Sequence, residues 1–149
     1  TSSGYSEKNS TFDISELIQN TIDKYENNNI SSEITPRLYM SGRKNLVQRS
    51  INNLIDNAIK YAHKMEVKVI KNNNSVLVTI DDDGPGIPKN EYENVFKPFY
   101  KIDKGRSDSK ASVGLGLSIA SDIIKSHGGN ILLENSPLKG LRVRIFLPL

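Results

Sequence analysis

Residues 51–62 read INNLIDNAIKYA, a stretch whose two faces ask for different surroundings. At about 100° per residue, Ile51, Leu54, Ile55, Ala58, Ile59 and Ala62 gather on one side of a helix. Asn53, Asn57, Lys60 and Tyr61 gather on the other. The apolar side is what any amphipathic helix presents to a core. Packing does not ask for two amides, an amine and a phenol in register. Amide oxygens are hard neutral ligands suited to Mg²⁺, which takes few protein ligands and fills its shell with phosphate oxygens and water. A lysine amine meets phosphate as a point charge. On this helix alone a solvated polar face explains the same residues, so the neighbouring stretches carry the decision.

Downstream, Glu66–Lys71 and Ser75–Asp81 alternate Val67, Val69, Val76, Val78 and Ile80 with polar residues, and Asn72–Asn74 supply a turn. That is a β-hairpin pattern. It runs into Asp81-Asp82-Asp83-Gly84-Pro85-Gly86-Ile87-Pro88, which neither strand nor helix can hold. Glycine permits positive φ and lets backbone approach a ligand closely. A carboxylate in this bend accepts a hydrogen bond from an exocyclic amine such as that of adenine, whereas guanine offers a carbonyl at that edge. A calcium loop fits poorly, because the EF-hand alternates its acids and ends in Glu.

Gly114-Leu115-Gly116-Leu117 opens a helix expected to run to about Ser126 and to stop at Gly128–Gly129. Backbone N–H groups at such a start favour anions, so phosphates fit there. It is not a Walker loop, because no Gly-Lys-Ser/Thr follows, and it lacks the full Rossmann pattern. Between the two glycine stretches lies Val95-Phe96-Lys97-Pro98-Phe99-Tyr100, which reads as a loop stapled to the core by an aromatic ring. Lys101–Val113 is long, polar and unpatterned, the profile of a functional loop. We expect a mobile lid there, with Lys101, Lys104, Arg106 and Lys110 able to reach phosphates.

Upstream, Phe12, Ile14, Leu17, Ile18, Ile22 and Tyr25 have helical spacing, with Asp13 or Ser15 as the cap. Ile34, Leu38 and Met40 surround a strand, the long helix covers about Arg43 to Ala62, and Glu91–Val95 forms a short helix. Ile131–Glu134 and Leu141–Leu147 close the chain as strands around a turn at Lys139–Gly140. Helices mixed with antiparallel hairpins predict an α+β two-layer sandwich with about three helices rather than a parallel sheet. Residues 1–10 read as a polar linker and residues 11–149 as one domain, the number expected for 149 residues.

Composition narrows the class further. Hydrophobic residues are 36% and charged residues 25%, enough for one core. No apolar run approaches the roughly 20 residues that span a bilayer, so direct membrane contact is not expected. The chain starts at Thr1 without Met and reads as an excised piece, with room for an anchor upstream. Cysteine is absent, which removes disulfides and Cys-based zinc sites. The +3 charge is scattered rather than gathered on one face among aromatics, which argues against a nucleic-acid surface.

In order, NLIDNAIKYA, DDGPGIP, VFKPFYK and VGLGLSIA resemble the N box, first glycine box, F box and second glycine box of sensor histidine kinases. The match covers roughly residues 11–149. The tail SHGGNILLENSPLKGLRVRIFLPL is more narrowly similar to EnvZ-type osmosensor kinases. The resemblance implies the Bergerat ATP-binding fold, a mixed and mainly antiparallel sheet under helices, shared with gyrase, Hsp90 and MutL. It implies ATP and Mg²⁺ as ligands. By position, Asn57 matches the metal-binding Asn, Asn53 its assistant near the phosphates, Lys60 the phosphate-contacting base and Tyr61 the ring beside adenine. Asp83 matches the adenine-reading carboxylate, and Gly86 and Ile87 line the base pocket. Phe96 and Lys101 belong to the F-box wall, Arg106 matches a lid arginine, and Gly114, Leu115, Gly116 and Leu117 match the phosphate and hinge segment. Ser112 departs from the glycine many members carry.

The ATP-hydrolysing relatives carry Glu four residues before the metal-binding Asn. Here that position is Asn53, which cannot take a proton near neutral pH. The expected activity is therefore donation of the γ-phosphoryl group to a histidine, with a nucleotide-sensing scaffold as the remaining alternative. Asp56 lies roughly 60° away on the helix and is a poor substitute base. The acceptor must lie outside this sequence. The family's acceptor histidine is followed by an acid, whereas His63 precedes Lys64-Met65 and His127 precedes Gly128-Gly129. Both histidines are expected to sit at helix ends as partial cations. The implied partners are a histidine-bearing dimerisation domain and a response regulator, the EnvZ-type likeness pointing to the OmpR type. The implied location is the cytoplasmic side of an inner-membrane sensor kinase.

Overall fold

A computed structural model describes residues 7–25, 29–100 and 113–149, with side chains from 116 onward in the last stretch. The chain order is β1 (Ser10–Asp13), α1 (Ile14–Asp23), β2 (Ile30–Ile34), β3 (Tyr39–Gly42), α2 (Lys44–Tyr61), β4 (Met65–Asn72), β5 (Ser75–Asp82), α3 (Val113–Ser126), β6 (Asn130–Asn135) and β7 (Leu141–Pro148). Five strands form one sheet in the order β2-β4-β5-β7-β6, while β1 and β3 pair separately. Only β2 and β4 run parallel in the large sheet; β4–β5, β5–β7 and β6–β7 are antiparallel. This is the mixed, mainly antiparallel sheet expected.

Strand alternation explains the two layers. Val67 and Val69 of β4, Val76, Val78 and Ile80 of β5, and Val143, Ile145 and Leu147 of β7 are buried against the helices. The helices answer with Ile14, Leu17 and Ile18 of α1, Val47, Ile51, Leu54 and Ile55 of α2, and Leu117, Ala120 and Ile124 of α3. Each Val, Leu or Ile among them contributes about 1.5–3 kcal/mol on burial. The apolar face read from residues 51–62 is thus the core face of α2, which leaves the amide face turned from the core.

Two local expectations change. The strand placed around Ile34–Met40 is two strands in different sheets, β2 and β3. Pro36 lacks a donor N–H and Arg37 has φ 58°, so the chain turns between them. The short helix at Glu91–Val95 is instead two 3-10 turns, Lys89–Glu91 and Asn94–Phe96. Of the two candidate caps for α1, Asp13 serves, accepting from the Glu16 N–H at 3.0 Å. Ser15 is buried and spans α1 to the β2–β3 connection by donating to the Thr35 carbonyl. Within the polar start, Ser10 already pairs with Gly42, and the Glu7 carboxylate accepts from the N–H groups of Asn45 and Leu46.

Candidate functional site

Helix α2 sets the first wall. Asn53, Asn57 and Tyr61 are partly buried and Lys60 is exposed. Asn57 Oδ1 is buried with no hydrogen-bond partner in the described structure. A buried amide oxygen left in that state is costly unless something bonds it. A hard divalent cation is the ligand such an oxygen suits. Among the described residues no group of three or more His, Cys, Asp or Glu side chains could hold a metal by itself. A Mg²⁺ ion carried largely by phosphate and water fits that donor set.

The acidic bend forms the second wall, and its three aspartates do three different things. Asp81 is 2% exposed and is gripped by Arg142, whose Nε donates to Oδ1 at 2.8 Å and Nη2 to Oδ2 at 3.0 Å. Asp83 turns the other way. Its Oδ1 accepts from the backbone N–H groups of His63 at 2.8 Å and Lys64 at 3.0 Å, and its own N–H donates to the Lys64 carbonyl. These bonds, the one from Lys64 first, hold its carboxyl below the ordinary carboxylate range. Asp83 thereby stitches the end of β5 to the segment leaving α2. Asp82 lies between them, 6% exposed. Its Oδ1 accepts from the N–H groups of Gly84 at 2.9 Å and Leu141 at 3.1 Å. Burial pushes its carboxyl above the ordinary value, against the pull of those two bonds. Sequence reading singled out Asp83 and passed over Asp82. The signal available was the strand alternation, which turns Asp82 to the same side as Ile80 and Val78 and so toward the helices.

Gly86 takes φ +74°, the left-handed region that favours glycine, and faces the Gly140 backbone. Ile87 and Phe96 are partly buried and pack on the core, whereas Phe99, with φ 64°, is 71% exposed. Phe96 is therefore the staple of the F box. The Asn94–Phe96 turn packs against α3, and α3 packs against α2. Helix α3 begins at Val113, so Gly114, Leu115 and Gly116 occupy its first turn as expected. A Cβ at Gly116 would meet nothing within 4 Å. Leu117 is 1% exposed, so its side chain anchors that turn in the core. Lys101 and Arg106, with the rest of the expected lid, lie outside the described residues.

Two further side chains are fixed by partners. Asp56 accepts from the Tyr25 hydroxyl at 2.6 Å, which ties α1 to α2 and further weakens Asp56 as a base. His127 was expected as a partial cation at its helix end. In the structure its Nε2 lies 3.0 Å from the Arg43 nitrogen, whose N–H points to it, and its Nδ1 lies 2.8 Å from the Ile123 carbonyl, so both ring nitrogens are engaged within the fold. A cavity of about 530 Å³ lies beside it, lined by residues including Glu7, Arg43 and Ser126. That cavity is at the α2 start, away from Tyr61 and the acidic bend.

Comparison with known proteins follows the same outline. The family described as histidine kinase-, DNA gyrase B-, and HSP90-like ATPase matches residues 42–149. Sensor histidine kinase CpxA of Escherichia coli is 39% identical over 109 residues, 72% of this chain and 24% of that protein. The chain thus spans about a quarter of the length of the curated relatives it matches. The ATP-binding domain of PrrB from Mycobacterium tuberculosis superposes with a TM-score of 0.78 at 27% identity, covering 94% of this chain and 96% of that one. The catalytic domain of histidine kinase ThkA gives 0.81 at 28%, covering 95% and 97%.

Proposed function

The chain belongs to the histidine kinase-, DNA gyrase B-, and HSP90-like ATPase family, and from that membership we propose that it binds Mg-ATP and presents the γ-phosphoryl group to a histidine on a separate dimerisation domain in two-component signalling. The observation that carries this reading is the buried, unpartnered Oδ1 of Asn57, on a helix whose other face is committed to the core.

In this reading Asn57 would hold Mg²⁺, which neutralises phosphate charge when bound. Asn53 and Lys60 face the phosphates, and the backbone N–H groups opening α3 receive them. Tyr61 and Ile87 flank the base. Asp82, buried at the end of β5 on the side of the strand that faces the helices, is the better placed of the two candidate carboxylates to accept the adenine amine, since Asp83 lies partly exposed on the opposite side. The transfer breaks the bond between the γ-phosphorus and the ADP oxygen and forms a bond to the unprotonated nitrogen of a neutral imidazole, and the proton on the other ring nitrogen then leaves to solvent. The chain supplies positioning and charge rather than a base. Water is a poor competitor, because Asn53 cannot activate it and Asp56 is held by Tyr25.

Among the described residues no helix is long and apolar enough to cross a membrane. We place the domain on the cytoplasmic side of an inner-membrane sensor kinase, where ATP is available, with a response regulator of the OmpR type downstream. The test is incubation with labelled ATP, alone and with a helical domain bearing the acceptor histidine. Acid-labile label should appear only on the added domain and vanish with Asn57→Ala. Stoichiometric label on the chain itself, or sustained ATP hydrolysis without the added domain, would overturn the assignment.

A further inference from the structure

The bend between β6 and β7 reads in sequence as a plain turn, yet its backbone closes directly on the acidic bend. The Gly140 N–H donates to the Asp82 carbonyl at 3.0 Å. The next N–H along, that of Leu141, donates to Asp82 Oδ1 at 3.1 Å. A Cβ on Gly140 would lie 2.2 Å from Asp82 Oδ1, 2.4 Å from the Asp82 carbonyl and 2.6 Å from the Gly84 nitrogen. No side chain fits there without moving one strand end or the other.

The bend is itself braced from outside. The Gly140 carbonyl accepts from the Ser136 N–H at 2.9 Å. Buried Ser136 donates its hydroxyl to Asp81 Oδ1 at 2.9 Å and accepts from the Leu138 N–H at 3.0 Å. Arg142 then grips the same Asp81. The bend and the start of β7 thus hold consecutive aspartates, Asp81 through the Ser136 and Arg142 side chains and Asp82 through backbone.

We propose that the Ser136–Leu141 bend is the positioning element for base recognition, with Gly140 and Leu141 fixing the direction of the Asp82 carboxylate and so the preference for an amine-bearing purine edge. The inference rests on the nucleotide-pocket reading of this site. A carboxylate turns about a broad terminal torsion, and a directional bond to a base amine needs one oxygen pinned. The N–H of Leu141 from the bend and that of Gly84 from the other side both donate to Oδ1 and pin it, while Gly140 crowds the same oxygen and bonds the Asp82 main chain. They also oppose the burial that favours the protonated form, and a protonated Asp82 cannot accept from the amine in the same way. Gly140 is a positioning residue here, acting on the base only through Asp82.

The test compares the 149-residue chain with Gly140→Ala and Ser136→Ala, measuring ADP and GDP affinity by calorimetry over a pH series, with urea unfolding to report the fold. The unaltered chain should prefer ADP. Gly140→Ala should weaken ADP about tenfold, the scale of one charge-assisted hydrogen bond, and GDP much less. It should also raise the pH below which ADP binding fails, because Asp82 keeps its burial and loses a donor. Ser136→Ala should move both quantities the same way by a smaller factor. A purely structural role would lower the urea midpoint without moving the ADP to GDP ratio or the pH profile. That pattern in either folded variant overturns the inference, and if Gly140→Ala does not fold, Ser136→Ala decides. An unaltered chain that binds neither nucleotide would sink the pocket reading and this inference with it. Normal binding with indifferent variants sinks the positioning role alone.

Discussion

Gly84 sits against the last carbonyl of the site helix: a Cβ built on it would stand 2.9 Å from the Tyr61 oxygen and 3.2 Å from Asp82 Oδ1. The first glycine of the acidic bend is therefore where β5 and the C-terminal end of α2 meet, and it sets how closely the two walls of the pocket approach. Gly84→Ala should lower stability by about 1–3 kcal/mol, since backbone rather than a flexible side-chain tip must shift. It should also weaken ADP binding in the fraction that folds. Urea unfolding and calorimetry on one preparation check both; an unchanged urea midpoint would mean the two walls yield more easily than the geometry says.

Asn57 separates function from stability. Its Oδ1 is buried and unpartnered, so Asn57→Ala removes an unsatisfied acceptor and should change stability by less than about 1 kcal/mol. The same change should remove the Mg²⁺-dependent part of nucleotide affinity. Calorimetry with ADP, with and without Mg²⁺, reads this directly. If the magnesium dependence survives in the variant, the metal assignment fails.

Asp82 should behave in the opposite way to an ordinary surface acid. Its folded carboxyl is raised by burial, so the stabilisation linked to it is full below the unfolded value of about 3.9 and is lost as pH rises through the folded value. At neutral pH the buried charge is a cost. Asp82→Asn keeps an oxygen for Gly84 and Leu141 and drops the charge, so thermal unfolding at pH 7 should hold steady or rise while ADP affinity falls. A marked loss of thermal stability would show that the ionised form is what the fold needs.

Asp83 carries the reverse sign. Its folded carboxyl is lowered by the N–H groups of Lys64 and His63, so its contribution is present above about pH 3.9 and lost as pH falls through the folded value. Asp83→Ala should be less stable than the unaltered chain at neutral pH, and the gap should close on acidification. Melting curves from pH 7 downward test it. A gap independent of pH would place the role of Asp83 elsewhere than in those two bonds.

Arg142 faces a buried partner. Asp81 has 3% side-chain exposure and Arg142 has 27%, so removing the guanidinium strands a carboxylate that water cannot reach well. Arg142→Met should cost about 2–4 kcal/mol, discounted from a fully buried pair for the exposed side of the arginine. Adding Asp81→Asn should recover part of the loss. A double-mutant cycle in urea gives the coupling, and strictly additive losses would rule out the pair as a unit.

Much of this was open to sequence reading. The faces of α2, the β4–β5 hairpin with its Asn turn, and the helix opening at residues 113–116 follow from periodicity and turn chemistry, which are local. The order of four short motifs along the chain was enough to suggest the family. Less legible were the split of residues 30–42 between two sheets and the hydrogen-bond partners of His127. The first turns on which distant strand each half pairs with, β4 or β1. The second turns on the Arg43 N–H, 84 residues away along the chain.

The three aspartates show the division most plainly. By itself the sequence determined that a strand ends in Asp81-Asp82-Asp83 and breaks at Gly84, because glycine and proline stop the ladder and the alternation before them is regular. It did not determine which carboxylate does what, for the three are chemically identical and adjacent. The tertiary structure decided that. Arg142 and Ser136 close on Asp81, Gly140 and Leu141 on Asp82, and His63 and Lys64 on Asp83. Successive side chains of a strand point to opposite faces, so a step of one residue exchanges a partly exposed guanidinium for a backbone clamp. Those partners come from β7, from the bend before it and from the end of α2, and only the folded chain brings them to one strand end.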